Sequence, residues 1–72
     1  MPDMSRDEKD IAQSDRRLAE GRVLIRRQIG IVRDLRVASQ PDDAALRLLR
    51  ALRDAVAAGR AHRSRLRQEA TD

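Results

Sequence analysis

The chain has 72 residues, 40% hydrophobic and 39% charged, with no cysteine, no aromatic residue and a net charge of +4. A chain this short holds one small domain and buries only about 60% of its unfolded surface on folding. The absence of cysteine excludes a disulfide framework, a thiolate metal site and thiol chemistry, as in a reducing compartment; the absence of Phe, Tyr and Trp removes base-stacking platforms and the aromatic belt of a membrane interface.

The chain opens Met1-Pro2-Asp3-Met4-Ser5-Arg6-Asp7-Glu8, with acids where a signal peptide carries positive charge, and no apolar run follows. The expected location is therefore the cytoplasm. The apolar stretches Val23 to Ile25 and Ile29 to Val32 fall far short of the roughly 20 residues that span a bilayer. Charge is unevenly spread: residues 1–20 carry −2, residues 21–38 carry +4, residues 39–58 balance at zero and residues 59–72 carry +2. Of the 16 basic residues Lys9 is the only lysine, a lopsided usage that, with the abundant alanine, reads as the codon bias of a GC-rich genome.

Ser5 with Glu8 forms a helix-start signature. From there to the segment Ser39-Gln40-Pro41-Asp42-Asp43 no strand alternation occurs, and Ala, Leu, Arg and Gln favour helix throughout. Pro41 restrains Gln40 against helical geometry and suits a new first turn. Ser39 with Asp42 repeats the start signature, and the acids Asp42 and Asp43 suit the positive end of a helix dipole. The expectation is a single αα-hairpin over 1–72: helix 1 at about 5–37, a turn at 38–41 and helix 2 at about 41–68.

Heptad spacing predicts how the two helices pack. On helix 1, Met4, Ile11, Leu18, Ile25 and Val32 form one seam row and Ser14, Gly21, Gln28 and Leu35 the other; on helix 2 the rows are Leu49, Val56 and Arg63, and Ala45, Leu52, Gly59 and Leu66. In an antiparallel pair the facing residues are Ile11 with Leu66, Leu18 with Gly59, Gly21 with Val56, Ile25 with Leu52, Gln28 with Leu49 and Val32 with Ala45; each pair of numbers sums to 77. The implied midpoint, between Ala38 and Ser39, coincides with the turn. Gly21 and Gly59 each cost about 1 kcal/mol relative to alanine in a helix, and each faces a large partner, so packing is their expected role. Gln28 occupies a seam position where its amide either fixes register or turns to solvent.

One flank of the seam is apolar, with Leu24 near Ala55 and Ile31 near Leu48; the other is charged, with Asp15 near Arg60, Arg22 near Arg53, and only Ile29 and Leu46 apolar. Two helices make too little core for a stable monomer, and a contiguous apolar flank on so small a protein marks an interaction surface. The expected architecture is all-α, an antiparallel coiled-coil-like helical hairpin that pairs through Leu24, Ile31, Leu48 and Ala55 into a homodimeric four-helix bundle.

Ile11-Ala12-Gln13-Ser14-Asp15-Arg16, Ala19-Glu20-Gly21, Ile25-Arg26-Arg27-Gln28 and His62-Arg63 resemble a set of short uncharacterised proteins of alphaproteobacteria such as rhizobia, over roughly residues 11–66. The resemblance implies a small cytoplasmic helical protein and supplies no activity or functional residue. The second helix departs from that pattern in being richer in Ala and Arg, and an acidic run near the turn is reduced to Asp42 and Asp43.

No catalytic constellation is expected. His62 has no second histidine or cysteine for a metal site and, with Arg17 expected across the seam, reads as a boundary packing residue. Ser5, Ser14, Ser39 and Ser64 lack an adjacent base and read as two caps and two spacers; Asp7, Glu8 and Asp10 lie opposite Arg65 and Arg67, where ion pairing is their expected fate. No cofactor is expected, and no glycine-rich phosphate loop is present. The arginines Arg22, Arg26, Arg27, Arg33 and Arg36 form a basic stretch suited to phosphate. Solvated surface charge is its first reading and non-specific nucleic-acid binding its second. The partner expected first is a second copy of the chain, then another helical protein or nucleic acid, and no membrane.

Overall fold

The computed structural model describes residues 6–71, the side chain of Asp7 excepted, so the seam position assigned to Met4 and the cap assigned to Ser5 lie outside the described residues. Helix α1 runs Arg6–Val37 and helix α2 runs Asp43–Thr71. The two lie side by side, and among the described residues there is no strand. They pack antiparallel, because Gly21 meets Val56 while Gly59 meets Leu18.

The turn is built differently from its start signature. Ala38 N–H donates to Asp34 O at 3.0 Å, Ser39 N–H to Arg36 O at 3.1 Å and Gln40 N–H to Leu35 O at 2.8 Å. This is a Schellman ending, and Ser39 occupies its left-handed position with φ 56°. Ser39 is thus consumed in closing α1 and does not cap α2. The cap position passes to Asp42, whose carbonyl accepts from Leu46 N–H at 2.9 Å, so α2 begins at Asp43, two residues after Pro41. Arg36 Nε donates to Asp42 Oδ2 at 2.6 Å across the turn, an exposed pair of small energetic weight beside the backbone bonds.

Burial follows the heptad seam. From Ile11 to Leu66 every seam residue is buried or half-buried, whereas most other positions are exposed. The apolar centre consists of Leu18, Val32, Leu49 and Val56, and none of the described side chains is fully enclosed. Gln28 is 6% exposed and its Nε2 donates to Ala45 O at 3.0 Å. Its amide therefore turns inward and ties α1 to the first turn of α2. Ser14, also buried, shares its layer with Arg63, whose Nε donates to Asp15 Oδ1. Asp15 thus pairs one turn farther along α2 than Arg60.

The glycines differ in what surrounds them. A Cβ at Gly21 would stand 2.6 Å from Val56 Cγ2, one at Gly59 would stand 3.1 Å from Leu18 Cδ2, and one at Gly30 would meet nothing within 4 Å. Val56 is β-branched and stiff at χ1, while the end of Leu18 can swing aside.

Ser39→Gly relieves a left-handed serine and should stabilise the hairpin by about 0.5–1 kcal/mol, seen as a higher melting temperature by far-UV circular dichroism. In the same assay Gly30→Ala should gain about 1 kcal/mol from helix propensity and Gly59→Ala should be near neutral. Gly21→Ala should be destabilised by about 1 kcal/mol, since overpacking costs more than propensity returns; a Gly21→Ala protein as stable as Gly30→Ala would contradict the close helix approach.

Candidate interaction surfaces

A two-helix layer has two broad sides, and the seam register sorts the side chains between them. On the first side lies a groove of about 440 Å³ floored by Leu18, Gly21, Val56 and Gly59 and bordered by Leu24 and Ala55. Leu24, Ile31 and Leu48 are 45%, 42% and 51% exposed, and Ala55 is exposed with them. These four residues belong to one flank because the Gly21–Val56 contact sets Leu24 beside Ala55 and, two turns on, Ile31 beside Leu48. Alanines 44, 51 and 58 extend the apolar strip along α2 and are likewise exposed. The charges around this groove are of both signs: Asp10 and Glu20 with Arg17, and His62 beside them.

The second side has a shallower groove of about 380 Å³, with Ile29, Val32, Leu46 and Leu49 as its floor and Arg33, Arg36 and Arg53 at its rim. Along this groove every charged side chain is an arginine, while Asp43 lies beside Leu46 and Arg50 at the start of α2. Arg22 stands at the level of Arg53, since each lies within a turn of the Gly21–Val56 contact, and Arg26 follows Arg22 by one turn. Arg50 flanks Leu46 on α2. Among the described residues Arg36 pairs with Asp42 and Arg63 with Asp15, whereas Arg22, Arg26, Arg33, Arg50 and Arg53 make no ion pair.

The structure therefore divides the basic stretch of α1. Arg22, Arg26, Arg33 and Arg36 fall on the arginine side, whereas Arg27 is the i+3 neighbour of Leu24 and lies four residues before Ile31, on the apolar side. Arg50 and Arg53, contributed by α2, join the first group. The register had already set Arg53 beside Arg22 on the charged flank; Arg50 was missed, and its heptad position beside Leu46 and Arg53 was the available signal.

His62 and Arg17 border the first groove, as their cross-seam relation implies. Among the described residues no group of three His, Cys, Asp or Glu side chains could hold a metal ion, and no helix is long and apolar enough to cross a membrane. Comparison with known proteins adds no relative: no family model matches the chain, and no curated protein or solved structure is significantly similar to it.

Proposed function

We propose that this protein is a non-enzymatic interaction module that self-associates through the Leu24, Ile31, Leu48 and Ala55 face, two coiled-coil-like hairpins stacking into a four-helix bundle. The observation that carries the reading is surface area. The hairpin exposes 6020 Å², against about 4,500 Å² for a compact monomer of this mass. The excess exceeds the roughly 800 Å² that each partner buries in a standard protein–protein interface. Shape tells the same story, since the radius of gyration is 16.7 Å where about 11 Å suits a globule of this length.

Charge selects which side self-associates. A two-fold interface brings each residue toward its own kind as well as toward others. On the arginine side that would press Arg33, Arg36 and Arg53 against their copies, each like-charge pair costing about 1 kcal/mol at 4 Å even in water. On the apolar side, Asp10 and Glu20 of one copy can meet Arg17 or Arg27 of the other, and Leu24 and Ile31 can seat on the alanines of α2.

Light scattering behind a sizing column, with refractive-index detection because the chain lacks aromatic absorbance, tests this directly. The expected mass is about twice 8.2 kDa at both low and high salt, because apolar association resists screening. Leu24→Glu should reduce that mass to the monomer while retaining most of the helical signal. A wild-type chain that runs as a folded monomer, or a Leu24→Glu chain that stays dimeric, would overturn the reading.

A further inference from the structure

The geometry points to a second interaction surface: the arginine side of the hairpin binds the phosphate backbone of duplex nucleic acid without reading its sequence. Six guanidinium groups carry it, those of Arg22, Arg26, Arg33 and Arg36 on α1 and of Arg50 and Arg53 on α2. All six residues are exposed, and five of them make no ion pair among the described residues. For those five no carboxylate has to be displaced before phosphate binds; Arg36 alone of the six would exchange Asp42 for phosphate.

Their spacing suits a polyanion and not a single small anion. From Arg22 to Arg36 the helix rises about 21 Å, and the two helices add a second row about 8–10 Å away. A duplex carries one charge per roughly 1.7 Å of axis, so about 12 phosphates pass over the same length. Arg33, Arg36 and Arg53 rim the groove floored by Ile29 and Leu46, and Arg22, Arg26 and Arg50 lie outside its lining, so the set forms a track for several phosphates and exceeds what one phosphate can engage. Arginine suits this role through its forked, permanently charged head.

Duplex is favoured over single strands and over lipid for separate reasons. The chain has no aromatic residue, hence nothing for unstacked bases to stack on. Ile29 and Leu46 are half-buried between the arginines, and Val37 at the turn end of the groove is the one large apolar side chain lining it that protrudes, 82% exposed; a single valine is far less than the continuous apolar face with which interfacial helices enter a bilayer. Sequence reading is not expected, because a flat two-helix layer presents no single helix to a major groove.

The test is anisotropy of two fluorescently labelled 24-base-pair duplexes of unrelated sequence, titrated with the full chain between 50 and 200 mM salt. Anionic vesicles of equal total charge serve as competitor. The expected result is equal affinity for both duplexes, with log K falling against log salt at a slope of about −4 to −5. Arg22→Gln/Arg33→Gln/Arg53→Gln should flatten that slope by about 3. Arg6→Gln/Arg16→Gln/Arg65→Gln removes the same charge from the open end of the hairpin and should leave the slope nearly unchanged.

No binding at 50 mM salt, equal losses in the two triple variants, or preferential capture by the vesicles would each overturn the assignment. Circular dichroism confirms that both variants are folded. The proposal does not need the dimer: monomeric Leu24→Glu keeps the arginine side intact and should still bind, so failure of self-association and failure of duplex binding are told apart.

Discussion

The two helices come closest where Gly21 faces Val56 and Gly59 faces Leu18, and the rest of the hairpin is organised around that approach. Each glycine removes the side chain that would hold the axes apart, and each is opposite a residue large enough to fill the space. The contacts lie a single turn apart on both helices, so they act as one interlock. Sliding α2 by a residue would bring Val56 against a side chain with a Cβ, and sliding it by a turn would separate both pairs at once. The inward amide of Gln28, bonded to Ala45 O, repeats the restriction nearer the turn, and Asp15 with Arg63 repeats it toward the open end. Polar links of this kind add little net stability but penalise other registers.

A fixed register makes a two-sided object. With α1 and α2 locked at one height and one rotation, residues on either side of the seam are separated onto opposite surfaces and cannot average out. One surface collects leucine, isoleucine and alanine with charges of both signs around them; the other collects arginine. A monomeric globule would fold such surfaces over its core, but one seam with four buried apolar side chains leaves nothing to fold them over. The layer is one helix thick, 55 × 24 × 12 Å between Cα atoms, and most of the described residues outside the seam are exposed.

Much of this was legible in the residues. The heptad rows, the antiparallel pairing and the flank composition all follow from a spacing of seven, which the helix converts directly into position. The pairing of Gly21 with Val56 and of Leu18 with Gly59 was legible because glycine within a helix is costly and demands a partner. What was not legible was local. Ser39 and Asp42 match a helix-start pattern, yet the same serine can close the preceding helix in a left-handed conformation, and a four-residue pattern cannot say which hydrogen bonds win. The fate of Gln28 was open for a similar reason, since its flexible side chain reaches either solvent or the Ala45 carbonyl. The arginine side was largely visible: α1 shows its share as a run of like charge and the register sets Arg53 beside Arg22, whereas Arg50 sits in a segment of zero net charge and joins the others only once the hairpin closes.

The placement of the two surfaces has a consequence for valence. They lie back to back across a single layer, so a contact made through the apolar side leaves the basic side untouched. Two hairpins stacked apolar side to apolar side would direct their arginines away from one another, on opposite faces of a four-helix slab. Such an object would not clasp one rod-like polyanion between its halves but would hold two apart at a fixed distance, each gripped by one face; only where the two are segments of one molecule would the second contact be strengthened by effective concentration. Pairing would then change what the protein does, turning a one-sided coating into a tether.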